Sequence, residues 1–179
     1  MLTRLTGTPP YDALTGLAQA VAATGGAVGW LEVPPADEVR AWADTLEHAV
    51  LAHLGDRLVG SGSWGRHEYT VARQNAELRK VMVHPDARGR GVGRAVTAAL
   101  VDDARAAGIE VLTLDCRGNN HAALRLYASL GFVPSGRRPD FIAVGPDRFD
   151  QVLLHRDLRT VGRSGLVRHG GRREGLGST

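Results

Sequence analysis

Hydrophobic and polar positions change their period several times along the chain, and each change predicts an element. Residues 2–5 read as a short edge strand. Pro10 opens a helix on which Leu14, Leu17, Ala18 and Val21 share one face, and Gly25 and Gly26 close it. Residues 27–33 fit a loop or a strand equally. After Pro34 and Pro35, residues 37–46 set Val39, Trp42 and Leu46 along one side of a second helix. Residues 49–53 and 57–64 flank Gly55 and Asp56 as a hairpin. Residues 65–75 are polar and read as a loop, and residues 77–83 as the next strand.

From there Val92, Val96, Ala99, Leu100 and Ala104 recur at helical spacing until Gly108. Residues 111–116 carry the β-branched and leucine content of a buried strand. Asn119 or Asn120 caps a short helix running through Leu130, and Gly131 ends it. Residues 132–133 and 141–144 read as parts of one strand interrupted around Pro134 to Pro139. Gly145, Pro146 and Asp147 make a turn, and residues 149–155 are the last strand. Internal repeats are absent.

The informative junction lies between the strand at 78–83 and the helix that begins near Val92. His84-Pro85-Asp86 breaks the strand, because proline has no N–H for a ladder. Then comes Arg88-Gly89-Arg90-Gly91-Val92-Gly93-Arg94. The first turn of a helix carries unpaired N–H groups and the positive end of the dipole. Glycines at 89, 91 and 93 clear side chains from those groups, and three arginines surround them, so the loop reads as a seat for a pyrophosphate. A nucleoside triphosphate loop would place Lys and then Ser or Thr after the last glycine, whereas Arg94 and Ala95 follow Gly93. A dinucleotide fingerprint would space its glycines differently. The bland alternative is a strand-to-helix turn that needs glycines only for its own shape.

Arg88-x-x-Gly91-x-Gly93, after a strand ending in Val-His-Pro and before an amphipathic helix, resembles the acetyl-CoA loop of the GNAT acetyltransferase superfamily. Asn120-x-x-Ala123-x-x-Leu126-Tyr127, followed by Leu130-Gly131-Phe132, resembles the segment those enzymes place on the other side of the coenzyme. The likeness covers roughly residues 77–132. More loosely, Gly25-Gly26-Ala27-Val28-Gly29-Trp30 with Ala41-Trp42 resembles the N-terminal half of tabtoxin-resistance acetyltransferases; Trp30 and Trp42 read equally as plain core aromatics.

The resemblance implies an α/β (α+β) fold, a mixed, mostly antiparallel sheet splayed near its middle and flanked by helices. It implies acetyl-CoA as co-substrate, wedged into the splay, and transfer to an amine or hydroxyl in a ternary complex. It also assigns coenzyme contacts to Met82, Val83, Arg88, Gly89, Arg90, Gly91, Val92, Gly93, Arg94 and Asn120. The backbone N–H groups of Met82 and Val83 would polarise the thioester carbonyl. The acceptor it suggests is a small amino-acid-like or antibiotic-like molecule, with a protein N-terminus or lysine as the alternative. An acyl-CoA-binding module without turnover is the reading from another class.

Acetyl transfer to an amine needs a neutral amine, a polarised carbonyl and a proton for the departing thiolate. Tyr127, where the resembling enzymes hold a tyrosine near the coenzyme sulfur, is the candidate acid; otherwise it is a packed core tyrosine. Glu77 is the leading candidate base and Asp115 its competitor, because apolar neighbours on its strand would raise its pKa. Either carboxylate could instead hold the acceptor ammonium. Cys116 ends an apolar strand and reads as structural rather than as a nucleophile.

Composition narrows the rest. A length of 179 residues with 43% hydrophobic content predicts one domain with a real core, over residues 1–158. The net charge of +3 misleads: from Arg159 on there are five arginines and one acid, which leaves 17 basic against 18 acidic residues before it. The high pI therefore belongs to residues 159–179, a Gly- and Arg-rich stretch predicted to be disordered. A specific nucleic-acid footprint on the domain is not expected. One cysteine rules out an internal disulfide and suits a reducing, cytoplasmic setting. No apolar run is long enough to span a membrane, and Pro9, Pro10 and Asp12 interrupt any secretory signal. The seven histidines lack i, i+4 metal spacing, so no metal is expected. A homodimer remains open, since dimers occur among the proteins resembled.

Overall fold

The computed structural model describes residues 1–25 and 29–159. The elements run β1 (Leu2–Arg4), α1 (Tyr11–Ala22), α2 (Ala36–Ala43), β2 (His48–Leu54), β3 (Arg57–Arg66), β4 (Asn75–Val83), α3 (Val92–Ala106), β5 (Val111–Arg117), α4 (His121–Ser129), β6 (Val133–Val144) and β7 (Asp147–Asp157). One seven-stranded sheet takes the order β1-β2-β3-β4-β5-β7-β6. Every neighbouring pair is antiparallel except β4 with β5, and that pair is joined only over Asn75–Glu77 against Val111–Thr113. Beyond Glu77 the two strands diverge. The sheet is therefore mixed, mostly antiparallel and open at its middle, as the resemblance implied.

A bulge in β4 sets which side chains face the opening. Ser61 pairs with Met82 and Ser63 with Arg79, so one residue of β3 stands opposite Lys80 and Val81. Lys80 absorbs the extra residue at φ 46°, a left-handed conformation that costs a non-glycine residue on the order of 1–2 kcal/mol. The slip reverses the alternation of side chains along the strand. Before it, Ala76 and Leu78 face the core under α3; after it, Val81 turns to that side. Met82 instead enters a second core with Leu14, Leu17, Ala18 and Val21 of α1 and Val39 and Ala43 of α2. Each face of the sheet thus has its own apolar cluster.

α3 approaches β3 closely because β3 carries Gly60 and Gly62. A Cβ on Gly60 would lie 2.7 Å from Val92 Cγ1, and one on Gly62 would lie 2.9 Å from Leu100 Cδ1. That contact holds the N-terminus of α3 beside the end of β4.

Two expectations need correction. β6 runs unbroken through residues 134–139, taking up its prolines with register shifts at Pro134/Gly136 and Arg138/Ile142. It is an outer strand, so one edge needs no N–H from Pro134 or Pro139. α2 stops at Ala43, capped by Asp44, so Leu46 lies outside it. Gly26 to Val28 and the basic stretch from Thr160 on lie outside the described residues.

Candidate active site

The divergence of β4 and β5 opens a cavity of about 810 Å³. Its walls are β4 from Glu77 to Val81, the loop and first turn of α3, the end of β5 from Leu114 to Arg117, and α4 from Asn120 to Tyr127. Residues Val21, Thr24, Gly25 and Gly29 close it from the α1 side.

Of the loop residues picked out from the sequence, Arg88, Gly89, Gly91, Val92, Gly93 and Arg94 all line this cavity. Gly89 and Gly91 both sit at φ 76°, and Gly91 is the N-cap of α3. Only glycine reaches that conformation without penalty, and it turns the backbone N–H groups of the first helical turn outward. A Cβ on Gly93 would stand 3.3 Å from both Leu126 Cδ2 and Val83 Cγ2, so this glycine keeps the α3–α4 approach close. Arg88 donates to Thr24 Oγ1 at 2.9 Å, and Arg94 donates to Ser129 Oγ at 2.7 Å. Arg90 is exposed and is not among the residues that line the cavity. It stands between two glycines of positive φ, Gly89 and Gly91.

Met82 and Val83 part company. Met82 is fully buried in the second core and does not line the cavity. His84 donates its N–H to the Val59 carbonyl, and alternation along an antiparallel pair then turns the Met82 N–H toward β3. The Val83 N–H faces away from β3, toward the opening. Of the two backbone donors expected there, Val83 alone is suitably turned.

Asn120 caps α4 by accepting the Ala123 N–H on its side-chain oxygen at 3.2 Å, and it also lines the cavity. About two turns further on, Tyr127 is buried against Phe132, edge to face at 5.8 Å between ring centroids. Its hydroxyl makes no hydrogen bond among the described residues. Burial, with the neighbouring Cys116 and Asp115 adding to it, pushes the phenol well above its ordinary pKa, so it holds its proton. The Cys116 thiol is pushed up to about 11, chiefly by burial and then by Asp115. A thiol held protonated is a poor nucleophile, which fits the structural reading.

Glu77 lines the cavity, and its Oε2 accepts from Arg79 Nε at 2.9 Å. Asp115 also lines the cavity, yet it is exposed. The apolar enclosure expected around it is absent, because its strand neighbours Leu114 and Cys116 point to the opposite face, into the core. Asp115 makes no ion pair among the described residues.

One feature escaped sequence reading altogether. The half-buried Lys80 ammonium sits 3.6 Å from the centroid of Trp30, which packs edge-on against Trp42 at 5.5 Å. Trp30 Nε1 donates to Glu38 Oε1 at 2.6 Å. Burial lowers the Lys80 pKa, and the Glu38 charge opposes the shift. Trp30 and Trp42 thus pack against the second core, as core aromatics would, and also hold the Lys80 side chain that lines the cavity. The signal was the bulge, and a bulge leaves no local signature in composition.

Residues 19–132 match the family model for acetyltransferases of the GNAT family. The chain belongs to the GNAT acetyltransferase family. It is 31% identical over 103 residues to the [ribosomal protein bS18]-alanine N-acetyltransferase of Escherichia coli (strain K12), covering 57% of this chain and 70% of that one. It is 42% identical over 82 residues to the L-amino acid N-acyltransferase MnaT of Escherichia coli (strain K12), covering 46% and 48%. The fold superposes on an acetyltransferase, yncA, from Salmonella typhimurium solved with acetyl-CoA, with a TM-score of 0.78 at 22% identity, over 92% and 98% of the two chains. As a GNAT enzyme the protein is an acetyl-CoA-dependent N-acetyltransferase. Among the described residues no helix is long and apolar enough to cross a membrane.

Proposed function

We propose that the enzyme acetylates the amine of a small, amino-acid-like acceptor by direct transfer in the β4/β5 cleft, with Tyr127 as the acid. The observation that carries this is Tyr127: its ring is buried, its hydroxyl is protonated and has no hydrogen-bond partner among the described residues, and it stands on the wall of the cleft with Glu77 and Asp115.

The α3 N-terminus and Arg88 take the diphosphate, because outward N–H groups and a cation complement it. The Val83 N–H takes the thioester carbonyl oxygen. Asp115 holds the incoming ammonium, and Glu77 receives its proton through solvent, using the oxygen that Arg79 leaves unoccupied. The amine nitrogen then bonds to the carbonyl carbon, and the oxyanion rests on the Val83 N–H. The carbon–sulfur bond breaks as the amine nitrogen gives its second proton to solvent, and the thiolate takes the Tyr127 proton. Solvent returns that proton to the phenolate.

A protein N-terminal amine is the second reading, favoured by the identity to the bS18-alanine N-acetyltransferase. Thiol release from acetyl-CoA with a panel of free amino acids, simple amines and short peptides tests both. Steady release with small amines supports the proposal, and release with peptides alone replaces it with the second reading.

A further inference from the structure

The cleft carries two acid–base pairs, each spaced i, i+2 along one strand and pointing to the same face. On β4, Glu77 and Arg79 are closed on each other at 2.9 Å. On β5, Asp115 and Arg117 are not: no ion pair joins them. Their Cα atoms are about 6.6 Å apart by strand geometry, with both side chains opposite Leu114 and Cys116.

Arg117 is held in place but not chemically spent. Its guanidinium carbon lies 4.8 Å from the Phe149 ring centroid, which fixes the plane of the group. Nη2 reaches the Gly25 carbonyl only at 3.4 Å, and the buried Nε has no hydrogen-bond partner. The nearby Arg137 is engaged with Asp150 at 2.8 Å, so that carboxylate is already taken. Nη1 makes no hydrogen bond among the described residues, and Arg117 lines the cavity, so this end of the guanidinium can donate to a ligand.

We propose that Asp115 and Arg117 together read a zwitterion, so that the acceptor is a free α-amino acid: Asp115 takes the α-ammonium and Arg117 the α-carboxylate. The inference rests on the acetyltransferase reading above and adds the acceptor's carboxylate to it. A peptide N-terminus presents the same amine but an uncharged amide where the carboxylate would be, and it leaves Arg117 unanswered. A planar guanidinium matches a carboxylate with two parallel hydrogen bonds, so recognition depends on geometry as well as charge. Arg117 is on this account a specificity residue; it touches the acceptor and none of the bonds that change.

The test compares thiol release with L-alanine, L-methionine and L-phenylalanine against their carboxamides and against an alanyl hexapeptide. The wild-type enzyme is expected to favour each acid over its amide by about tenfold or more in kcat/KM. In Arg117→Gln that ratio falls toward one through the acceptor KM, while Arg117→Lys keeps an intermediate ratio; acetyl-CoA calorimetry on each variant confirms a folded enzyme. Equal use of acids and amides by the wild type overturns the inference, as does an Arg117→Gln variant that loses both alike. Release with the hexapeptide alone overturns it while leaving the transferase reading standing. Acetyl-CoA binding with no release for any amine removes both.

Discussion

Arg88 and Thr24 are joined by a 2.9 Å hydrogen bond that ties the coenzyme loop to the C-terminal end of α1. One donor therefore touches both walls of the cleft, and on the proposed mechanism a diphosphate would compete with Thr24 for it. A charge-assisted hydrogen bond contributes about 1.5–3 kcal/mol, so Arg88→Ala is expected to weaken acetyl-CoA binding about tenfold or more. Arg90→Ala, which removes an exposed side chain outside the cavity wall, is expected to change it less than about twofold. Calorimetric titration of both variants decides. Equal losses would mean that loop charge alone, and not the placement of Arg88, holds the coenzyme.

Glu77 and Asp115 are separable by the kinetic constant each one governs. Glu77, as proton acceptor, should show its loss in turnover: Glu77→Gln is expected to lower kcat by about a hundredfold or more. Asp115, as ammonium holder, should show its loss in the acceptor KM, with a smaller effect on kcat. Steady-state kinetics at saturating acetyl-CoA distinguish the two. If Asp115→Asn takes the larger share of kcat, the base is Asp115 and the assignment reverses.

Much of this site was legible because its signals are local. The loop at 88–94 announces itself through alternating glycines between a strand period and a helix period, and two of those glycines do take φ 76°. Asn120 was legible as a cap because capping is a matter of three residues. What stayed hidden depends on partners distant in sequence. The bulge at Lys80 arises from how β3 and β4 align, and it moved Met82 from the cleft to the other core. Arg90 and Arg88 are chemically identical in the sequence, and only the fold puts Arg88 on the cavity wall and leaves Arg90 off it. The openness of Asp115 and Arg117 emerges only where β5 leaves β4.

Two glycines give opposite expectations for stability. Gly60 lies where α3 meets the sheet, and its Cβ would meet Val92 Cγ1 at 2.7 Å and the Met82 carbonyl oxygen at 3.3 Å. Both neighbours are stiff, so Gly60→Ala is expected to cost about 1–3 kcal/mol. Gly16 sits within α1, exposed, with nothing within 4 Å of an added Cβ. Gly16→Ala removes backbone freedom from the unfolded chain at no steric expense and is expected to add about 0.5–1 kcal/mol. Thermal melting should move down by several degrees for the first and up by a few for the second, at about 2–4 °C per kcal/mol for a chain of this size.

Cys116 and Tyr127 make the fold sensitive to alkali. Both are acids whose folded-state pKa is raised by burial, Cys116 from 9.0 to about 11 and Tyr127 further still. A raised pKa means that the folded state keeps a proton the unfolded chain gives up. The stability from this is complete below pH 9, and it is lost as pH climbs from about 9 through 11, where the unfolded state binds fewer protons. The melting temperature is expected to fall across that window, and Cys116→Ala is expected to make the decline shallower between pH 9 and 11. A Cys116→Ala profile parallel to the wild type would show that the thiol is no better buried in the folded enzyme than in the unfolded one.

The same burial bears on the acid role proposed for Tyr127. An acid must be protonated when the thiolate leaves, and the raised pKa keeps the phenol protonated through its ordinary range. Ionisation of Tyr127 should therefore contribute no alkaline fall in kcat below about pH 10, its ordinary pKa. Tyr127→Phe keeps the ring and its edge-to-face contact with Phe132 and removes only the oxygen. It is expected to lower kcat by about a hundredfold while the KM for acetyl-CoA stays within about threefold, since the hydroxyl acts on the leaving sulfur and not on ground-state binding. Stopped-flow thiol release separates chemistry from product release. A Tyr127→Phe enzyme with unchanged single-turnover rates would return Tyr127 to the core and require another proton donor on the cleft wall.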